Sequence, residues 1–235
     1  MNIEEYAQSA LKVRTGIDLC GRTEVFCSAY GGDLCRIILS CGALVVFCRE
    51  DIKDSLIDFL HNEDVKAAIS SPDFYLKVLN AVGLDHALYP LEPYIDDGKK
   101  YKSCHTVEYV CSRETFKMPH ISYGVKIIHK DEPDYMIDDC FSEIYAVTDG
   151  EKIVSTSYYR PNTGEFSGTN AMDVWTHRNF RTLGYGKAVA AAATGSIVNK
   201  NNLALWVSYA ENMPSRRIAE RLGYSFIGGE LRIKE

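Results

Sequence analysis

The sequence predicts an α+β (mixed α/β) fold. Its second half forms a mainly antiparallel sheet flanked by helices, and an additional α+β half precedes it. Three observations carry this reading. The stretch Ser142–Pro161, "SEIYAVTDGEKIVSTSYYRP", is two apolar runs joined by Asp149-Gly150, a strong short-range hairpin signal. From Thr169 onward, β-rich and helix-rich runs alternate. The chain has 235 residues, 46% apolar and 25% charged, an ordinary globular balance for one large domain or two small ones.

In order along the chain, Cys35–Glu50 reads as two β segments around Cys41-Gly42, because β-branched residues dominate it. Asp51–Asn62 places Ile52, Leu56, Phe59 and Leu60 at helical spacing, with Asp51 as the expected cap. Ser71–Leu84 opens on Ser-Pro and closes at Gly83, the punctuation of a helix. Tyr89–Ser103 is polar and turn-rich, the expected linker or exposed loop. The texture changes near residue 120, which divides the chain into 1–119 and 120–235. In the second part the hairpin is followed by a strand over Thr169–His177. An alanine-rich helix then runs from about Gly184 to Asn199. Leu203–Tyr209 is a further strand, and Asn212–Tyr224 a helix closing at Gly223 with Ile218, Ala219 and Leu222 on one face. Short strands around Gly228-Gly229 end the chain, giving the order β-β-β-α-β-α-β-β.

Charge and cysteine usage narrow the function classes. Lys+Arg total 26 against Asp+Glu 32, a net charge of -6. That argues against nucleic acid or an anionic membrane as partner and toward a neutral or cationic one. No apolar run has membrane-span length, and the acidic start "MNIEEYAQSALKVRTG" lacks the layout of a signal peptide. The expected location is cytoplasmic. The eight cysteines at 20, 27, 35, 41, 48, 104, 111 and 140 form no Cys-x-x-Cys pair, so no metal site is expected. They read as reduced, buried, small apolar residues.

The stretch "HRNFRTLGYGKAVAAAATGSIV", His177–Val198, is the chemical focus. Gly184 and Gly186 sit where a strand hands over to a helix, where unpaired N–H groups and the helix dipole favour an anion. Arg178, Arg181 and Lys187 add positive charge. A P-loop is excluded, since Arg181 holds its first glycine position and Ala188 its hydroxyl position. A dinucleotide fingerprint fails at Val189 and lacks its acidic ribose partner.

"RTLGYG" matches the Arg/Gln-x-x-Gly-x-Gly/Ala signature of the GNAT superfamily of N-acetyltransferases, which the region 120–235 resembles. The flanks agree: Val174-Trp175-Thr176 ends the preceding strand, and Asn212 and Gly223-Tyr224 bound the following helix. The resemblance implies a GNAT-like central mixed sheet and acetyl-CoA as cofactor. It implies that the backbone of Leu183, Gly184, Tyr185, Gly186 and Lys187 binds the pyrophosphate, with Arg181 and Thr182 at the mouth. It implies that backbone edges of Val174 and Thr176 pair with the pantetheine arm, that the strand ending at Thr176 splays from the one at Leu203, and that Asn212 and Ser215 lie along the arm. The activity implied is acetyl transfer to a primary amine of a small molecule or peptide. A non-catalytic acyl-CoA sensor is the alternative. A homodimer is an option the resemblance leaves open.

The acid and base are less legible. The family's tyrosine acid position holds Ala219, and its two glutamate base positions fall at Asn170 and near Val207. Asp173, acting through water, and Tyr209, as thiolate acid, are the candidate catalytic residues. Glu165, Tyr158 and Tyr159 are lesser candidates, and His177 reads as a cap or surface residue. Trp175, Tyr158 and Tyr159 are candidates to line an acceptor pocket, since aromatic faces attract cations.

Overall fold

The computed structural model describes residues 1–15, 23–26, 33–88, 91, 103–122, 124–129 and 143–234. Cys20, Cys27, Cys140, the Glu165 side chain and all of the expected linker except Leu91 and Ser103 lie outside the described residues. The elements are α1 (Ile3–Thr15), β1 (Thr23–Phe26), β2 (Asp33–Ser40), β3 (Ala43–Cys48), α2 (Lys53–Asn62), α3 (Val65–Ile69), α4 (Phe74–Ala81), β4 (Cys104–Cys111), β5 (Lys126–His129), β6 (Glu143–Asp149), β7 (Lys152–Pro161), β8 (Thr169–Thr176), α5 (Tyr185–Asn199), β9 (Leu203–Tyr209), α6 (Met213–Arg221) and β10 (Ser225–Lys234). The fold is mixed α/β, with mostly antiparallel strands and flanking helices. Among the described residues no helix is long and apolar enough to cross a membrane.

The chain divides into two compact units whose segments are interleaved in sequence. The first holds Met1–Tyr6, Tyr109–Trp206 and Pro214–Ser225; the second holds Ala7–Glu108, Val207–Met213 and Phe226–Glu235.

In the first unit the strands lie in the order β9-β8-β7-β6-β5. β5 to β8 are antiparallel neighbours, and β8 and β9 are parallel. The β6–β7 hairpin turns at Asp149-Gly150 as the sequence predicts, with Gly150 at φ +61°. Helix α5 packs against β6, β7 and β8. Its buried face is Ala188, Val189, Ala191 and Ile197 among others, and small side chains let helix and sheet approach closely. Helix α6 closes on Gly223 at φ +89°, and Tyr224 N–H bonds back to Ala219 O at 3.1 Å.

In the second unit the order is β1-β3-β2-β10-β4. Helices α2 to α4 cover one face, where Leu56, Leu60, Phe74 and Val78 pack on Ile37, Leu39, Val46 and Leu231. Leu11 of α1 packs on Ile38 and Val45. The tight β2–β3 turn at Cys41-Gly42 has both residues left-handed, φ 45° and 82°, the geometry of a type I′ hairpin.

Three expectations need correction. Asp51 does not cap α2. It sits in a 3-10 turn before the helix, and its carboxylate instead accepts from Arg49 Nε at 2.8 Å. Cys41 is exposed because the hairpin turn holds it, while Cys35, Cys48 and Cys111 are buried thiols. Burial pushes the Cys35 thiol up to about 12, with the facing Cys48 adding to it. Finally, Gly228-Gly229 does not break the last strand. β10 runs through it, paired to Ser40 and Leu39. A Cβ on Gly228 would stand 2.0 Å from Leu39 O, and one on Gly229 would stand 2.7 Å from Thr106 O. The glycines permit close backbone approach rather than a turn.

That distinction sets a prediction. Gly228→Ala forces backbone apart and loses more than about 3 kcal/mol of unfolding free energy. Gly150→Ala, with open space around its Cβ, loses only about 1–2 kcal/mol from its left-handed φ. Urea unfolding of the two variants gives the comparison.

Candidate functional site

The site grows from the two edges of β8. Thr169 O accepts from Asn162 N–H on the β7 side at 3.0 Å, and His177 N–H donates to Val154 O at 2.9 Å. Gly168 O accepts from Leu203 N–H on the β9 side at 2.8 Å. Backbone direction alternates along a strand, so even-numbered residues of β8 turn their N–H and C=O toward β9. β8 pairs with β7 from Asn170 through Thr176. It pairs with β9 only over Thr169↔Leu203, Asn170↔Ala204 and Ala171↔Leu205. The backbone groups of Met172, Val174 and Thr176 therefore face no strand among the described residues. The expected splay is present, and it opens after Ala171. Thr176 O is partly used, accepting from Arg181 Nε at 3.3 Å.

Two buried serines lock the other edge. Ser155 Oγ donates to Trp175 O at 2.9 Å and also meets Thr176 Oγ1 at 2.8 Å. Ser157 Oγ donates to Asp173 O at 2.9 Å. They hold β8 on β7 just where it lets go of β9. The sequence marks them only as small polar residues alternating within an apolar strand.

Past β8, His177 caps a 3-10 turn, Arg178–Phe180, with Nδ1 accepting from Asn179 N–H at 3.3 Å. Thr182 then takes φ 68° and Gly184 φ 90°. A β-branched residue in this region is strained, which no sequence signal announces. The first helical bond of α5 runs from Ala188 N–H to Gly184 O at 3.0 Å, so Gly186 and Lys187 N–H have no acceptor within the helix. The first turn holds no acidic residue, and it holds Lys187. Arg178 and Arg181 are exposed nearby. Positive charge at the positive end of a helix dipole is unfavourable unless an anion is bound. The residues fit a pyrophosphate.

The two glycines have different jobs. Gly184 serves the left-handed entry into α5. A Cβ on Gly186 would stand 2.9 Å from Thr176 Oγ1. Gly186 lets the helix start lie against β8.

The remaining candidates separate by face and by unit. Along β8 the side chains alternate: Ala171, Asp173 and Trp175 are exposed, and Asn170 and Met172 are on the α5 side. Tyr158 pairs with Asp173 and shares the open face. Tyr159 is buried on the other face, so it does not line that surface. Its hydroxyl accepts from Lys200 Nζ at 2.7 Å and lies 3.4 Å from Glu143 Oε2. The hydrogen bond from Tyr145 holds the Glu143 carboxyl below its ordinary range, and this cluster fastens the end of α5 to β6 and β7. Ser215 Oγ accepts from the Trp206 indole at 2.9 Å, tying α6 to β9. Tyr209 and Asn212 belong to the second unit, where Asn212 N–H donates to Tyr209 O at 3.0 Å. Ala219 is fully buried, and Tyr224 is buried with its hydroxyl 2.9 Å from Thr194 Oγ1. Burial drives the Tyr224 phenol upward, which makes it a poor proton donor.

Asn170 stands at the vertex of the splay. It is 1% exposed, and its Nδ2 has no partner among the described residues. Among those residues no cluster of His, Cys, Asp and Glu is arranged to hold a metal.

A strand paired on one edge and released on the other, leading into a helix start with free N–H groups, is the arrangement that the GNAT resemblance implies. In agreement, residues 164–233 match the family model described as FR47-like protein. No curated protein matches the chain. Solved structures similar to it include an acetyltransferase of the GNAT family, described as putative, from Novosphingobium aromaticivorans (14% identity, TM-score 0.45, covering 62% of this chain and 72% of that one). A GNAT-family acetyltransferase from Colwellia psychrerythraea is 8% identical, with TM-score 0.45 and coverage of 58% of each chain. A GCN5-related N-acetyltransferase-like protein from Streptococcus suis is 12% identical, with TM-score 0.40 and coverage of 88% and 87%.

An unpartnered buried amide costs about 1–3 kcal/mol. Asn170→Leu is therefore expected to raise thermal stability and to lower acyl-CoA affinity or turnover. A variant less stable than the wild type shows instead that Asn170 is satisfied in solution.

Proposed function

We propose that the protein is an acetyl-CoA-dependent N-acetyltransferase acting on a primary amine of a small molecule or peptide. The observation that carries the reading is the one-sided pairing of β8, whose released edge leads to the anion-receptive start of α5. Arg181, Thr182, Leu183, Gly184, Tyr185, Gly186 and Lys187 hold the pyrophosphate in this reading. The backbone edges of Val174 and Thr176 receive the pantetheine amides, and Ser215 lies along the arm. When bound, acetyl-CoA supplies an activated acyl group.

The chain's own groups do the rest. N–H groups of the released β8 edge offer donors for carbonyl oxygen. Asp173 is exposed to solvent and receives the amine proton through water. The reading takes the protein to be cytoplasmic.

One observation favours a second reading, a non-catalytic acyl-CoA sensor. Ala219 is fully buried, so no acid can act from that position.

Calorimetry with CoA tests cofactor binding. Lys187→Glu reverses a charge at the helix start without steric change and is expected to weaken CoA by about ten-fold or more. Unchanged affinity removes the site assignment. Thiol release from acetyl-CoA in the presence of a panel of amines separates the two readings: release with any amine eliminates the sensor.

A further inference from the structure

The second unit holds a cavity of about 220 Å³ that acyl transfer does not use. Its floor is the end of the β2–β3 hairpin. Ser40↔Ala43 closes the two-residue turn, so Leu39↔Leu44 is the next, non-hydrogen-bonded pair, and its two side chains stand close together on one face. Helix α2 supplies a wall, where Ile57, Leu60 and His61 are three and four residues apart and share one side. Val65 and Lys66, at the start of α3, complete it. Gly42 stands at the turn, and a Cβ there would meet nothing within 4 Å, so the turn leaves the space unfilled. Solvent reaches this cavity. Leu39, Leu44 and Leu60 keep 5%, 6% and 7% exposure, whereas Ile37, Val46 and Leu56, one step deeper along the same elements, have none.

The polar part of the lining has one sign. It includes no carboxylate. Among the described residues no ion pair or hydrogen bond engages the Lys66 ammonium or the His61 ring, and both residues are exposed. The acids nearest in sequence are committed elsewhere: Asp64 Oδ1 accepts from Ala67 N–H at 3.2 Å, and Glu63 pairs with Lys77 at 3.6 Å. The carbonyl end of α2 opposes an anion, but a helix end carries only about half a charge, against the full charge of Lys66.

Apolar walls under a cationic mouth suit an apolar chain with an anionic head. An ammonium head meets Lys66 and no carboxylate. One lysine and one imidazole, without an arginine fork, match a singly charged head better than a phosphate. Size sets the chain. A water molecule takes about 30 Å³, so the cavity admits roughly seven atoms of that size, and a longer chain projects from it.

We propose that this pocket binds a small aliphatic monocarboxylate, with its chain against Leu39, Leu44 and Ile57 and its carboxylate at Lys66 and His61. The site stands whether or not the chain transfers acyl groups.

The probes are hexanoate, hexanamide and hexylammonium, titrated into the whole protein at low ionic strength and followed by methyl NMR of Leu, Ile and Val. Hexanoate is expected to shift the signals of Leu39, Leu44, Ile57 and Val65 saturably, with a Kd of about 1 mM. Hexanamide is expected to bind about three-fold more weakly, and hexylammonium weakest of the three. Lys66→Gln, at an exposed position, is expected to weaken hexanoate by about three-fold. Ile57→Phe fills the cavity and is expected to abolish binding. Circular dichroism and the remaining methyl signals check that both variants fold. No saturable shift with hexanoate, equal affinity for the three probes, shifts confined to other methyl groups, wild-type affinity in Lys66→Gln, or binding retained in a folded Ile57→Phe overturns the proposal.

Discussion

The one-sided hydrogen bonding of β8 is the constraint on which the candidate site depends. A strand inside a sheet ordinarily spends both edges on neighbours, because an unpaired buried amide or carbonyl costs about 1–3 kcal/mol. Here pairing with β7 persists to Thr176, while pairing with β9 stops at Ala171↔Leu205. A strand with one free edge is easily displaced. Ser155 and Ser157 oppose that, since each adds a side-chain bond to a β8 carbonyl beyond the ladder itself. The freed edge can then be held in place with its donors and acceptors pointing outward, ready for a ligand's amides.

The start of α5 adds a second arrangement that is unfavourable in isolation. Thr182 is strained, the first turn has no acid, and cations surround the positive pole of the helix. Each alone is a modest destabilisation. Together they describe a segment that a bound anion would stabilise. The helix can tolerate this because its remaining length is alanine-rich and buried against the sheet, so its stability comes from packing rather than from its first turn.

Much of this was legible in the sequence for a physical reason: it rested on local rules. The Asp149-Gly150 hairpin, the strand at Thr169, the alanine helix and the Gly223 stop each depend on a few adjacent residues. What was not legible depended on partners distant in sequence. Gly228-Gly229 looks like a turn until Leu39 and Thr106 are known to press against it. Asp51 looks like a cap until Arg49 claims its carboxylate. Gly186 sits in a glycine-rich helix start, and only the fold shows that Thr176 presses against it. Tyr158 and Tyr159 look equivalent, yet strand alternation sends one to the open face and the other into a cluster with Lys200 and Glu143. The interleaved segments of the two units follow from the same cause, since no local signal records which distant strand a strand will pair with.

The empty acid position bears on how the chemistry is divided. A phenol at position 219 is precluded by packing: Ala219 is fully buried, and its carbonyl takes the Tyr224 N–H that closes α6. Tyr224 itself is engaged by Thr194 and Met172, and burial makes its proton hard to remove. Of the ionisable groups on β8, Asp173 is the one that solvent reaches, and it stands on the face opposite the Met172 and Asn170 side chains. A carboxylate in water is a weak base. It discriminates by charge more readily than it removes a proton from an ammonium, whose pKa is near 10. Any proton transfer that Asp173 takes part in therefore runs through solvent rather than through a buried base.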